Sequence, residues 1–270
     1  MIWKKTITCL LISLFVLGTM AGCSSETPLA KSNSMTLKEG TFSFALSGLA
    51  RPYNYMDSNN QLTGFDVDIA MEVSKRLGLK GEAVQTPWGS ILQGLKANKY
   101  DSIIGGMSIT EERAKQVDFS EPYLTMKAVM FVNEKNSKNI SSKEDLNGKV
   151  VGVVTASTYK DLAVELVGPT GQVKEYESDL FAMQELKQEG RLDVVITDFG
   201  VGMEAVKVGK LPAKTVGEPL FLDQCGIPVQ KGNKELLDAI NKALLDMKAD
   251  GTYKEISMKY FNADISEGLK

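Results

Sequence analysis

Asp101-Ser102-Ile103-Ile104-Gly105-Gly106-Met107-Ser108-Ile109-Thr110-Glu111-Glu112-Arg113 holds the architecture of the chain in miniature. A short apolar strand, Asp101 to Ile104, runs into two glycines that let the backbone turn. Thr110 then has the chemistry of a helix N-cap, and Glu111 and Glu112 suit the positive first turn of that helix. The same strand, turn and helix recur on both sides. Upstream, Phe42 to Leu46 is a candidate strand, and Gly64 to Leu77 is a helix with Phe65, Ile69, Val73 and Leu77 on one face, stopped by Gly78. Ser90 to Ala97 is a shorter helix with Ile91, Leu92 and Leu95. Downstream, Ala128 to Val132 is a continuous apolar strand, followed by a polar stretch from Asn133 to Asn139.

A second series follows. Ser142 and Asp145 fit a capping box, and Lys149 to Val154 is a buried type of strand. The loop Thr155-Ala156-Ser157-Thr158 opens a helix to Val167. A Gly168-Pro169 turn, a strand near Val173, a helix from Ser178 to Glu189 and a strand from Asp193 to Thr197 ending at Asp198 come next. After Glu218-Pro219-Leu220 the pattern resumes with a strand at Ile227 to Val229. A long helix then carries Leu236, Ile240, Leu244 and Met247 on one face, Gly251 breaks it, and a last helix bears Tyr253, Ile256 and Tyr260. Short connections between alternating β and α elements predict an α/β protein, whose ligands sit beyond the carboxyl ends of its strands.

Composition narrows the chemistry. The 270 residues contain no histidine, which removes Ser-His-Asp and Cys-His catalysis and His-containing metal sites together. With 31 Lys+Arg against 34 Asp+Glu, no basic field exists to gather phosphates, and nucleic acid is not an expected partner. Neither a metal nor a cofactor is expected, and no GxxxxGK[ST] loop occurs, so any energy coupling lies in another protein.

The first residues read as an address. Lys4 and Lys5 precede an apolar run from Ile7 to Met20, shorter than the roughly 20 residues of a comfortable membrane span. Met20-Ala21-Gly22-Cys23 resembles the bacterial lipobox, which implies a signal peptide over residues 1–22 and a diacylglycerol on Cys23. An ordinary signal peptide with a chance cysteine is the alternative. The polar residues through position 35 read as a flexible tether. Of the three cysteines, Cys9, Cys23 and Cys225, only Cys225 then stays in the folded body, which therefore has no internal disulfide.

Four stretches resemble a known family: Leu62 to Asp68 (LTGFDVD), Ile104 to Arg113 (IGGMSITEER), Val117 to Tyr123 (VDFSEPY) and Ala249 to Tyr253 (ADGTY). In this order and spacing, over roughly Thr36 to Phe261, they are similar to the extracytoplasmic solute-binding proteins of polar amino acid ABC transporters (family 3). The resemblance implies a two-lobed periplasmic-binding-protein, or Venus flytrap, fold. Lobe 1 would comprise residues 36–130 and 226–270, lobe 2 residues 131–225, joined by strands near Met130-Phe131-Val132 and Asp223-Gln224-Cys225. Closure about such a hinge is a common motion. It implies an amino acid ligand, an ABC permease with its ATPase as partners, a location on the outer face of the cell membrane and a monomer.

An α-amino acid presents a carboxylate and an ammonium on one carbon, so its site needs a fork of donors beside a group of acceptors. Arg113 is the natural fork. The alternative, pairing with Glu111 or Glu112, is disfavoured because residues one and two apart do not face each other on a helix. The resemblance adds backbone N–H groups of Ser108 and of the Ser157-Thr158 loop for the carboxylate, and the Gly106 carbonyl, the Ser108 hydroxyl and Asp198 for the ammonium. The alternative role for Asp198 is the N-cap of the following helix. Trp88 would form an aromatic wall or anchor a core, and Tyr53 is a further candidate for the same surface.

Ser47, Ala50, Val154 and Thr197 lack the aromatic, acidic or basic groups that relatives place there, which implies a wider, less charged side-chain pocket. The ligand is then an amino acid with a larger or less polar side chain, cystine among the candidates. A second reading is an exported enzyme on the same fold, resembling cyclohexadienyl-type dehydratases, which would need an acid and base pair in the cleft that the sequence does not reveal. A sensory module would be expected to carry a second membrane span or a signalling domain, and none is visible up to Lys270.

Overall fold

The structure is a computed structural model and describes residues 35–266, so the expected signal peptide, Cys23 and nearly all of the tether lie outside the described residues. In chain order the elements are β1 (Thr41–Leu46), β2 (Leu49–Ala50), β3 (Asn54–Met56), β4 (Leu62–Thr63), α1 (Phe65–Arg76), β5 (Lys80–Gln85), α2 (Trp88–Lys96), β6 (Ser102–Ile103), β7 (Met107–Ser108), α3 (Glu111–Ala114) and β8 (Val117–Phe119). There follow β9 (Leu124–Asn133), a 3₁₀ turn (Lys143–Leu146), β10 (Val150–Val154), α4 (Thr158–Val167), β11 (Gln172–Tyr176), α5 (Asp179–Leu186), β12 (Val194–Asp198) and α6 (Phe199–Gly209). The last elements are β13 (Ala213–Gly226), β14 (Pro228–Gln230), α7 (Lys234–Ala249) and α8 (Thr252–Phe261).

Local chemistry explains the helices. In α1, Asp66 and Asp68 lie in the first turn and Lys75 and Arg76 in the last, each complementing the helix dipole. Its start is tied down by Gly64, whose φ is +125 and where a Cβ would fall 2.3 Å from the Tyr53 carbonyl oxygen. In α7, Asn233 accepts from the Leu236 N–H, and the helix buries Leu236, Ile240, Ala243, Leu244 and Met247.

Two sheets organise the molecule. The first has the order β5-β1-β6-β14-β8, with β1 parallel to β5 and β6 and with β14 antiparallel to β6 and β8. The second has the order β11-β10-β12-β9-β13-β7, parallel from β11 to β12 and antiparallel beyond. Residues buried on both faces surround each sheet. Phe42, Phe44 and Leu46 pack with Phe65, Ile240 and Tyr253 on one side of the first, and Ala45 packs with Ile91, Leu95 and Ile103 on the other. Val151 and Val153 of the second pack with Ala163, while Phe131 and Val195 pack with Met183 and Leu186. Helix-covered sheets of this kind form two α/β lobes.

The chain crosses between the sheets in a narrow zone. Ser120 to Tyr123 connects β8 to β9 and Ile227 connects β13 to β14, and the two crossings are bonded to each other. The Ser120 N–H donates to the Ile227 carbonyl at 3.0 Å, and the Tyr123 N–H to the Cys225 carbonyl at 3.0 Å. Met130, Phe131 and Val132, expected in a connecting strand, instead lie inside the second sheet, and the lobe boundary expected at Met130 falls within β9. Strand β7 also departs from its neighbours: β6 and β8 belong to the first sheet, whereas β7 adds to the edge of the second, with Ser108 opposite Cys225. After β14 the chain returns to the first core with α7 and α8.

Candidate ligand-binding cleft

A cleft of about 650 Å³, counted to its open mouth, lies where the crossing strands meet the loops of both sheets. Ser47, Ala50, Trp88, Gly106, Ser108 and Arg113 line one side. Val154, Ser157, Thr158, Asp179, Thr197 and Asp198 line the other, and Met126 and Asp223 come from the crossing strands β9 and β13. This is the position expected beyond the ends of parallel strands.

Arg113 is held by its short helix. The Thr110 hydroxyl accepts from the Arg113 N–H at 3.2 Å, the capping bond its sequence position predicts. The guanidinium then reaches across the cleft, with Nη1 donating to the Ser108 carbonyl at 3.0 Å and Nη2 to the Ala156 carbonyl at 3.1 Å. These use two of its five N–H donors. No carboxylate lies within ion-pair distance among the described residues, so neither Glu111 nor Glu112 pairs with it. Burial lowers its pKa, opposed by the nearby charge of Asp223.

Gly106 sits on a buried chain of bonds. With φ at +69 its N–H donates to the Tyr123 hydroxyl at 2.8 Å, and that hydroxyl donates to Asp66 Oδ1 at 2.8 Å. The Asn54 amide donates to Asp66 Oδ2 at 2.8 Å, and Asn54 Oδ1 accepts from the Gly48 N–H and the Ser47 hydroxyl. Because both Asp66 oxygens accept, the network is built for a carboxylate, yet full burial without a cation pushes Asp66 up to about 6, against the lowering effect of Asn54 and Tyr123. Asp66 belongs to the LTGFDVD stretch, and its place beneath the Gly106 turn emerges only from the fold.

The opposite side repeats one device, a strand running through a short loop into a helix. Between β10 and α4, Ala156 adopts φ +57, a left-handed conformation unusual for alanine that aims its carbonyl at Arg113. The Ser157 hydroxyl donates back to the Val154 carbonyl at 2.7 Å, and its own N–H also bonds Val154. No side chain caps α4, so the first turn of this helix opens its N–H groups and positive dipole end beside Thr158 and Tyr159 in the cleft lining.

Asp198 performs both roles considered from the sequence: it lines the cleft and caps α6. Oδ1 accepts from the Val201 N–H and the Tyr53 hydroxyl, both at 3.1 Å, and Oδ2 from the Lys127 N–H at 2.9 Å. The Gly200 N–H adds a further bond. Burial still raises its pKa. Tyr53 does not line the cleft; it is buried in the first core against Phe65 and Phe261 and reaches Asp198 from behind. Trp88 combines its two alternatives, packing on the cluster around Ile91 and Leu95 while lining the cleft.

Three acids were not singled out from the sequence. Asp223, 7 % exposed, accepts from the Ser108 hydroxyl at 2.7 Å, and the Thr158 hydroxyl also bonds it. Ser108 Oγ and Thr158 Oγ1 are themselves 3.3 Å apart, a contact between the two sides. Asp179, at the start of α5, accepts from the Thr197 hydroxyl at 2.5 Å, and desolvation pushes it up to about 6. Glu177 lies beside it in the lining. The side-chain pocket is therefore not depleted of charge, as substitutions at four positions alone implied. One guanidinium faces the carboxylates of Glu177, Asp179, Asp198 and Asp223. The same acids supply the titratable groups that the sequence did not reveal for an enzyme. Among the described residues no group of His, Cys, Asp and Glu could hold a metal ion.

Comparison with known proteins agrees with this geometry. Residues 43–263 match the family of bacterial extracellular solute-binding proteins, family 3. The L-cystine-binding protein TcyJ of Escherichia coli (strain K12) is 30% identical over 258 residues, covering 95% of this chain and 96% of that protein. An ancestral arginine-binding protein, solved bound to glutamine, is 41% identical with a TM-score of 0.78, covering 84% of this chain and 100% of that one. The ancestral amino acid-binding protein AncCDT-1, described as a precursor of cyclohexadienyl dehydratase, is 36% identical with a TM-score of 0.75, covering 82% and 96%.

Proposed function

Since the chain belongs to the bacterial extracellular solute-binding proteins, family 3, we propose that it captures an amino acid outside the cytoplasmic membrane and delivers it to an ABC importer. In this reading Cys23 carries the lipid anchor, the protein acts as a monomer, and a permease with its ATPase are the partners. The lobes meet along Ser120 to Tyr123 and Ile227, and ligand closes them. The carboxylate lies on Arg113 and the first turn of α4 at Ser157 and Thr158. The ammonium lies among the Gly106 carbonyl, the Ser108 hydroxyl and the acids of the second side, with Trp88 against the side chain.

One observation carries the reading: Arg113 is a partly desolvated cation in a cleft, bonded, among the described residues, only to carbonyls. A buried charge needs a partner, and a ligand carboxylate is the partner a guanidinium fork fits. The excess of acids supports a ligand with a net positive charge, which a basic side chain provides, whereas the second ammonium of cystine brings a second carboxylate with it. A simple zwitterion carries no net charge and leaves that excess uncompensated.

Calorimetry with a panel of amino acids tests this. One-to-one binding is expected, with arginine, lysine or cystine above glutamate and aspartate, and Arg113→Ala should weaken binding by about 100-fold, the scale of a charged bidentate contact. Full affinity in that variant would overturn the clamp. Turnover of prephenate, followed by absorbance, would favour the enzyme instead.

A further inference from the structure

We propose that Asp66 and Tyr123 couple the floor of the cleft to the interlobe crossing, so that seating an amino acid on that floor drives lobe closure; this rests on the amino acid reading above. The four stretches that carry the family resemblance converge on this point. Leu62 to Asp68 contributes Asp66, Ile104 to Arg113 contributes Gly106, Val117 to Tyr123 contributes Tyr123, and Ala249 to Tyr253 contributes Tyr253. In the fold they form one hydrogen-bonded cluster, in which Asp66, Tyr123 and Tyr253 are fully buried.

Tyr123 uses each of its polar atoms on a different part of the chain. Its N–H donates to the Cys225 carbonyl at 3.0 Å, which joins the two crossings. Its carbonyl accepts from the Tyr253 hydroxyl at 2.6 Å, which fastens it to α8. Its hydroxyl accepts from the Gly106 N–H and donates to Asp66 Oδ1, both at 2.8 Å. The residue whose backbone ends the crossing therefore holds a cleft-lining turn with its side chain. Packing adds to the link, because a Cβ on Gly106 would fall 2.6 Å from Met126 Cε, which belongs to β9 just beyond the crossing.

Asp66 divides the connection in two. Oδ1 reaches the Gly106 turn through Tyr123, while Oδ2 accepts from the Asn54 amide at 2.8 Å. Asn54 Oδ1 in turn accepts from the Gly48 N–H at 2.9 Å and the Ser47 hydroxyl at 3.0 Å. Ser47 follows β1, and Gly105 and Gly106 follow β6, so the turns after two neighbouring parallel strands hang from one carboxylate. Both turns line the cleft.

A path in which every link is a short hydrogen bond has little slack. A shift of either turn moves the Tyr123 ring, and the ring carries its backbone with it. Phe65 stacks on that ring with centroids 6.4 Å apart, and a close-packed interior transmits such a displacement instead of absorbing it.

Stopped-flow mixing with arginine, read by the fluorescence of Trp88 in the cleft lining, separates ligand encounter from a closing step whose rate does not rise with ligand concentration. Tyr123→Phe removes the hydroxyl and keeps the ring. It should leave the encounter rate within about twofold and slow closing by about tenfold, within the usual range of coupling between two sites. Tyr253→Phe removes a bond to the same residue that does not lead to the cleft, so it should lower the urea midpoint yet leave the closing rate near that of wild type. Asp66→Asn, which weakens both links from Asp66, gives the same slowing of closure if the Tyr123 variant does not fold. Unchanged closing in Tyr123→Phe, or equal slowing in Tyr253→Phe, would show that the cluster only stabilises the fold and would overturn the proposal. Failure of wild type to bind arginine, lysine and cystine alike would instead overturn the reading on which it rests.

Discussion

Both sides of the cleft are built from strands that run through a short loop into a helix start, yet they carry opposite charge. On the side of the first sheet, the Thr110-capped α3 brings in the guanidinium of Arg113, and Trp88 forms the apolar surface beside it. On the side of the second sheet, α5 and α6 begin at acids, Asp179 and Asp198, and α4 begins with no cap. Acids at helix starts are locally stabilising, because they answer the N–H groups and the dipole. A desolvated arginine bonded only to carbonyls is not. The second side thus uses its charges for the fold and the cleft together, whereas the charge of the first side costs stability that a ligand carboxylate would offset.

The largest test of this asymmetry sets Asp198→Asn against Arg113→Met. Asp198 accepts from four donors, and an amide in its place turns two protons toward groups that also donate. We expect a loss of about 3 kcal/mol in urea unfolding, the scale of breaking a buried, charged hydrogen-bond network. Arg113→Met should leave stability within about 0.5 kcal/mol of wild type, or raise it, while binding collapses. Equal destabilisation by both variants would end the distinction between the two sides.

A second test concerns what lies beneath each side. Asp66 is fully buried under the Gly106 turn, with its folded pKa raised to about 6 from an ordinary value near 4. A raised carboxyl contributes stability that is present below the unfolded pKa and lost as pH rises through the folded one. Wild-type stability should therefore fall between pH 4 and 6 by about 2 kcal/mol from this group. Asp66→Asn should flatten that part of the profile, although it weakens the bond to Tyr123. Asp179 has a similarly raised pKa but borders the open cleft, so its variant should change the slope less and respond more to bound ligand. An unchanged slope in Asp66→Asn would show that another group carries the pH dependence.

What the sequence disclosed follows the same division. Thr110 and Arg113 were legible because capping and helix position are local properties within four residues. Ser157 came from the family resemblance, and Asp198 from that resemblance together with its place as the acid at the end of its strand. Asp223 was not legible, since its place in the cleft depends on β13 pairing with both β7 and β9. That strand is also hard to read: Gly217 and Pro219 interrupt it, and its register with β9 shifts between Val216 and Phe221. Asp179 read as an ordinary helix start, and only the fold turns it toward Thr197. Tyr53 was a further candidate for the aromatic surface of Trp88, but its ring belongs to the core behind Asp198. Of the two expected connecting strands, Met130 to Val132 lies inside the second sheet, being as hydrophobic as a crossing strand and as a sheet interior, while Asp223 to Cys225 leads directly into the crossing at Ile227.

The smallest effect bears on the helix starts themselves. Thr110 caps α3 through its hydroxyl, whereas the hydroxyl of Ser157, at the same position relative to α4, is turned away to Val154. If the first side needs a cap to hold Arg113 and the second leaves its helix open for a ligand carboxylate, the two alanine substitutions should differ. Thr110→Ala should cost about 1 kcal/mol of stability, the usual value of a lost N-cap, and a few-fold in affinity as the short α3 frays beneath Arg113. Ser157→Ala removes no cap, so its stability should change by less than about 0.5 kcal/mol. Any loss of affinity there would come from the loop around Ala156, not from the helix. Denaturant unfolding and calorimetry on the two variants separate these outcomes. Equal losses of stability would mean that α4 is capped by Ser157 in solution, and its open first turn could then no longer be counted among the donors to the ligand.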